Sequence, residues 1–286
     1  MTDAATLVAG DVAGGALGSA AAALTVVTTT PVVARATASS PRWTRSNYRG
    51  RSVQIAGGPA VALGATVGAV VAGAPGAAVA GAAAAALGLY DDLYGDSHAR
   101  GLRGHVAALR AGRMTTGAVK LGGLVAAGVV ASLVGRGRAD RSGAVEGAAL
   151  GGVGSVLADT ALVAGTANLV NLLDLRPGRA LKSVTALSAA LAARGEVRAV
   201  AASTAVAAAA ALPSDLGERQ MIGDCGANCL GAIVGWCLSR GLSRSGRAVA
   251  LSVVVALTLA SERVSFTRVI EQTPVLAAID ALGRRR

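Results

Sequence analysis

The chain has 286 residues, of which 53% are hydrophobic and only 15% charged, and its net charge is +11. Soluble domains carry about 25% charged residues, so a water-soluble globule is set aside in favour of a membrane protein. The positive excess is almost all arginine in short loops between apolar runs, the positive-inside pattern of membrane proteins; no nucleic-acid partner is expected.

Apolar segments run over residues 7–33, 53–73, 75–90, 115–134, 144–172, 180–193, 197–212, 226–240 and 246–261. They predict an all-α, polytopic helical bundle with about nine transmembrane helices, although several fall short of the ~20 residues that span a bilayer comfortably. No basic region precedes Leu7, so the first run is expected to be a retained helix and not a cleaved signal. Small residues four apart, as in Gly10/Gly14/Gly18, Gly64/Gly68 and Gly147/Gly151, suit close helix crossings in lipid. The basic loops led by Arg35–Arg51, Arg100–Lys120 and Arg176–Lys182 orient the N-terminus outside and the C-terminus in the cytoplasm; the Arg136–Arg141 loop argues mildly the other way. Residues 1–261 read as one multi-pass domain in the cell membrane. Residues 262–286 form a basic tail whose Val264, Ile270, Leu276, Ile279 and Leu282 recur at helical spacing, as in a helix lying on the membrane surface.

Polar clusters then stand out against this background. Asp91 and Asp92 close a long Ala/Gly/Val run at Gly88–Gly95, where adjacent carboxylates are costly unless they meet water. Helical neighbours point about 100° apart, so different roles are expected: one beside a cation, the other as base or orienter. The alternatives are solvated helix-end carboxylates or partners for Arg100 and Arg103. Asn168, Asn171 and Asp174 share one helix face at i, i+3, i+6, where polar groups in an apolar run need partners, as part of a site or as interhelical hydrogen-bonding glue. Asp224, between Gly223 and Gly226 at the start of an apolar run, suits a ligand-binding turn or an N-cap. Lys120 lies inside the next apolar run, where an ammonium group suits a phosphate at the interface or snorkels to lipid. Cys225, Cys229 and Cys237 have no metal-ligand spacing and read as small apolar residues.

In order, these motifs resemble the polyprenyl-phosphate N-acetylhexosamine-1-phosphate transferases, the superfamily of phospho-N-acetylmuramoyl-pentapeptide transferase. The resemblance runs from Asn47–Gly58, similar to the first cytoplasmic loop, through Asp91-Asp92 and Thr116–Lys120 to Asn168-x-x-Asn171-x-x-Asp174 and Gly223-Asp224-x-Gly226. It implies a magnesium-dependent enzyme of envelope glycopolymer synthesis whose partners are polyprenyl phosphate, a nucleotide-diphosphate sugar and the membrane; a homodimer is admitted. Asp91, Asp92 and Asp224 would be catalytic, with Asp224 and Asp92 on magnesium. Lys120, Asn168, Asn171, Asp174 and Gly226 would bind substrate. The chain departs from the family after Asp174, which is followed by Leu-Arg-Pro-Gly-Arg, and after Ser261, where the family's His-rich loop is replaced. The magnesium and lipid-phosphate half of the site therefore looks retained and the donor half rewritten. A non-catalytic protein of the same fold that binds lipid phosphate or scaffolds an envelope complex is the alternative. A transporter, which would show inverted repeats and midplane polar groups, is disfavoured.

Overall fold

The structure is a computed structural model that describes residues 4–95, 104, 108, 110–112, 114–139 and 149–285. The expected loop cations Arg100, Arg103 and Arg113, with His105, Arg141 and Gly147, lie outside the described residues. Each of the nine apolar segments coincides with a helix. These are α1 (Ala4–Thr37), α2 (Gly57–Val71), α3 (Pro75–Tyr94), α4 (Thr116–Ala139), α5 (Ala149–Leu173), α6 (Arg179–Leu191), α7 (Arg198–Leu216), α8 (Gly223–Gly241) and α9 (Arg244–Ser261).

The fold is all-α, as expected, and five of the nine expected spans stand out by length and composition. Among the described residues five helices are long and apolar enough to cross a membrane, over Ala13–Thr37, Thr116–Val134, Gly152–Leu173, Gly195–Leu216 and Arg244–Ser261. The other four expected spans, α2, α3, α6 and α8, fall outside that set. At 1.5 Å per residue, α2 and α6 rise only ~22 and ~20 Å against a hydrocarbon core of ~30 Å. Helix α3 ends in Asp91 and Asp92, and α8 is enclosed by its neighbours.

Helix α8 is the axis of the molecule. Every residue from Cys225 to Ser239 is buried, and α2, α3, α5 and α6 surround it. A helix buried all round needs neighbours that come close, and glycines supply the contact. Gly231 abuts Ala167 and Gly235 abuts Leu162 and Val163, so α5 runs antiparallel beside α8. Helix α1 lies on α2 and α7, where Gly64 meets Val26 and the Ala22 carbonyl and Gly68 meets Ser203. Of the small-residue repeats, Gly18, Gly64 and Gly68 thus sit at a crossing, whereas Gly14 faces open space. The three cysteines are free and buried in α8. Outside, α1, α4, α5 and α9 expose Leu17, Leu24, Val125, Leu133, Leu157 and Val249, an apolar surface that only lipid solvates well.

Two features lie outside the sequence expectation. The stretch before α2 contains a hairpin, β1 (Thr44–Ser46) paired antiparallel with β2 (Ser52–Gln54), and Gln54 accepts the Met221 amide at 2.8 Å. Chain directly before α8 is thereby tied to the first loop. The tail is not one surface helix but two short ones, α10 (Phe266–Gln272) and α11 (Pro274–Ala281), broken where Pro274 follows Thr273. Its stripe of Val264, Leu276, Ile279 and Leu282 is exposed, while Asp280 on the other side is buried.

That buried acid anchors the tail to the start of α6. Arg179 donates Nε and Nη2 to the two Asp280 oxygens at 2.9 Å each, and Arg284 adds a bond of 2.6 Å. Lys182 donates to the carbonyls of Ile279, Asp280 and Leu282, and Arg176 pairs with Glu271 at 3.0 Å. The stretch after Asp174 and the tail after Ser261 therefore bind each other.

Candidate active site

The site forms where α3 ends and α8 begins. Gly88 lets the last turns of α3 approach the first turn of α8, and Asp91 and Asp92 then diverge as helical neighbours must. Asp92 turns to α8, where its Oδ1 accepts the Asp224 amide at 3.1 Å and its Oδ2 the Cys225 amide at 2.9 Å. The first amides of a helix have no partner within it and carry partial positive charge, so Asp92 is a cap delivered from another helix. Gly223 makes room for it: its φ is +53°, and a Cβ there would lie 2.9 Å from the Asp92 carboxylate. Burial, then the charge of Asp224, push the Asp92 carboxyl up to about 7, against the pull of the two amides and Arg45. The Arg45 guanidinium donates to the Asp92 carbonyl and joins the hairpin to this corner.

Asp91 points to α4 instead. Lys120 donates to its Oδ2 at 2.9 Å and also to Asp224, so one ammonium bridges two carboxylates from helices distant in sequence. Burial alone would raise Asp91, but the Lys120 charge together with hydrogen bonds from Lys120, Asp224 and Thr116 outweighs it and holds the carboxyl below its ordinary range. Asp224 responds oppositely, because burial there exceeds the pull of Lys120 and its carboxyl is raised. The side chains of Lys120, Asp91 and Asp224 keep 15%, 19% and 27% of their surface exposed, so the cluster is reachable from outside the bundle. Asp174 completes the group just beyond α5, taking a hydrogen bond from the Gly223 amide. Burial, then the charges of Asp215, Asp224 and Asp92, raise it well above the ordinary range. All four carboxylates lie outside the candidate spans.

The other expected residues are placed differently. Asn168 and Asn171 lie along α5 between the Ala167–Gly231 contact and Asp174, half-buried, with no side-chain hydrogen bond among the described residues. Gly226 packs one turn along α8 against Val61 and Gly58, whose Cα would lie 3.2 Å from a Cβ at Gly226. It sets the α2–α8 approach and does not face the acidic cluster.

Two residues of this corner were not foreseen. Asn228, fully buried, donates to the Asp224 carbonyl at 2.8 Å, and its Oδ1 has no partner. Its place four residues after Asp224 in an apolar helix was the available signal. Asp215 accepts the Gly178 amide and holds the loop that follows Asp174. A lone acid near the end of α7 gave no signal for that role.

A scan against models of known protein families gives no match, and a search of curated proteins returns none. The chemistry of the site must therefore be read from its own donors. Magnesium commonly takes one or two carboxylates and completes its shell with water and phosphate oxygens. Among the described residues no three Asp, Glu, His or Cys side chains share a metal centre, and magnesium of that kind asks for no such cage. Asp224 and Asp91, hard oxygen donors already facing a common cation, fit it. Asp92 is turned away from them, each of its oxygens accepting one α8 backbone amide.

Asp92→Ala is expected to destabilise the protein by about 1 kcal/mol, as for loss of a helix cap. A lowered Tm of the detergent-solubilised protein, with Asp92→Asn falling between, would be the sign.

Proposed function

We propose that this protein is a multi-pass cell-membrane enzyme that transfers a sugar-1-phosphate from a nucleotide-diphosphate sugar to polyprenyl phosphate at the cytoplasmic face. The observation that carries this reading is the meeting of Asp91, Lys120, Asp174 and Asp224, from four separate segments, at one polar end of an apolar bundle. An oxygen of the lipid phosphate attacks the β-phosphorus of the donor. The bond from that phosphorus to the bridging oxygen breaks, and a nucleoside monophosphate leaves. Magnesium, held by Asp224 with Asp91, would supply charge neutralisation for the diphosphate. Lys120 neutralises and orients the lipid phosphate, and Asp91 aims Lys120. Asp92 keeps the start of α8 in place, and Asp174, Asn168 and Asn171 lie on the side where the donor enters.

Asp224→Asn keeps the side-chain shape and removes the charge. Transfer measured with purified protein, polyprenyl phosphate and a labelled UDP-sugar is expected to fall by about a thousandfold, with unchanged melting. A fully active Asp224→Asn protein would sink the assignment.

A second reading is favoured by one specific observation. The loop of Arg176–Lys182, on the donor side, is occupied by the tail through Arg179–Asp280 and Arg176–Glu271. A protein of this fold that binds lipid phosphate without catalysis would carry such a closed donor side. Titration with UDP-sugar, with and without magnesium, separates the two: magnesium-dependent binding supports the enzyme, and its absence the binding protein.

A further inference from the structure

The end of the bundle away from Asp224 carries a second group of charges. Asp159 of α5, 2% exposed at its side chain, faces two guanidiniums, Arg240 of α8 at 3.7 Å and Arg247 of α9 at 3.5 Å. Arg240 also donates to the Ser132 carbonyl at 3.0 Å and sits over the Trp236 ring. Beside Arg247 a cavity of about 530 Å³ opens between α5 and α9, walled by Ser155 and Ala158 on one side and by Arg244, Arg247, Ala248 and Leu251 on the other. Arg244 lines the same cavity beside Arg247, and among the described residues no carboxylate pairs with it.

Position decides what such a cavity can hold. Both walls belong to helices long and apolar enough to cross a membrane. At the same levels the outer faces of α5 and α9 expose Val153, Leu157, Val249 and Val253. The cationic mouth suits a phosphate, since guanidinium pairs with phosphate oxygens through a fork of N–H donors. Its volume lies within the range of small-ligand sites, and its apolar flanks suit acyl chains. We propose that this cavity binds the phosphate headgroup of an anionic membrane lipid, with the chains laid along α5 and α9. The site is separate from the Asp224 cluster and does not depend on its activity.

The test is native mass spectrometry of the full-length protein released from nanodiscs of phosphatidylglycerol or phosphatidylcholine. Wild type is expected to retain phosphatidylglycerol preferentially. Arg244→Gln is expected to lose about tenfold in that retention, as for removal of one charge-assisted hydrogen-bonding partner. Because Arg247 also supports Asp159, Arg244→Gln is the decisive variant, and its Tm should match wild type. Asp224→Asn should retain lipid normally, and millimolar inorganic phosphate should not displace it. Equal retention of the two lipids, an unaffected Arg244→Gln protein, or displacement by inorganic phosphate would each overturn the proposal.

Discussion

Gly88→Val should separate α3 from α8 and disable the site while leaving most of the bundle folded. A Cβ at position 88 would lie 2.5 Å from the Asp224 carbonyl carbon and 2.7 Å from the Cys225 nitrogen. Real Cβ atoms do not approach backbone so closely, and neither partner is the end of a flexible side chain. The helices must therefore part. Overpacking of this kind costs about 1–3 kcal/mol and sometimes more. The larger effect is geometric, because the contact sits one turn from Asp91 and Asp92. Moving α3 outward draws Asp92 from the α8 amides and Asp91 from Lys120. Melting in detergent should drop by several degrees, and the transfer assay should lose most of its signal. A variant with wild-type Tm and activity would show that the glycine contact does not hold the acids in register.

Asp280→Ala should release the C-terminal tail. The substitution leaves Arg179, 4% exposed, without its carboxylate, and breaking a buried pair in this way costs about 3–5 kcal/mol. Arg179 can regain water if the tail lifts away, so the cost is capped by the free energy of tail docking. The expected result is local: α10 and α11 detach while the α8 core persists. Hydrogen exchange should show protection falling across residues 266–285 by a factor on the order of 100, with little change in α8. Arg179→Lys should behave similarly, because an ammonium cannot reproduce the two parallel bonds.

The same pair makes tail docking sensitive to acid. Burial by itself would raise the Asp280 carboxyl, but the Arg179 bond and the charges of Arg179 and Arg284 outweigh it and hold it below the ordinary value. A carboxylate depressed in the folded state contributes stability that is complete above its unfolded pKa and is lost as pH falls through the folded one. Docking should therefore be constant from about pH 5 to 8 and weaken only below about pH 4. The mobility of a spin label at the exposed position 275 reads this directly. Loosening between about pH 5 and 7 would contradict the assigned ion pair.

Much of the fold was legible because composition and period carry it. Apolar runs of Ala, Val, Leu and Gly bounded by arginines could only be helices in lipid or in one another's company. What the runs did not reveal is which helices face lipid. Helix α8 carries Asp224, Asn228 and three cysteines, yet it is the most enclosed helix of the set, because Gly231 and Gly235 admit α5. Hydropathy measures what a segment tolerates, and its neighbours decide what it meets. The acids of the site were legible for a related reason: carboxylates beside apolar runs are expensive enough to be conspicuous. The Arg179–Asp280 fork was not, since both residues sit in stretches whose charges looked merely solvated.

The opening pair of acids marks the boundary between these two kinds of knowledge. Sequence alone determined that Asp91 and Asp92 end an apolar helix and, as helical neighbours, must point in different directions. Only the tertiary structure decided where each points. Lys120 lies 29 residues from Asp91 and 104 from Asp224, and the Cys225 amide lies 133 from Asp92. Local periodicity cannot encode a contact over such separations; the packing of α3 between α4 and α8 makes it. Asp92 became the cap of α8, and Asp91 the partner of the lysine, because close helix contacts set which carboxylate meets amides and which meets an ammonium.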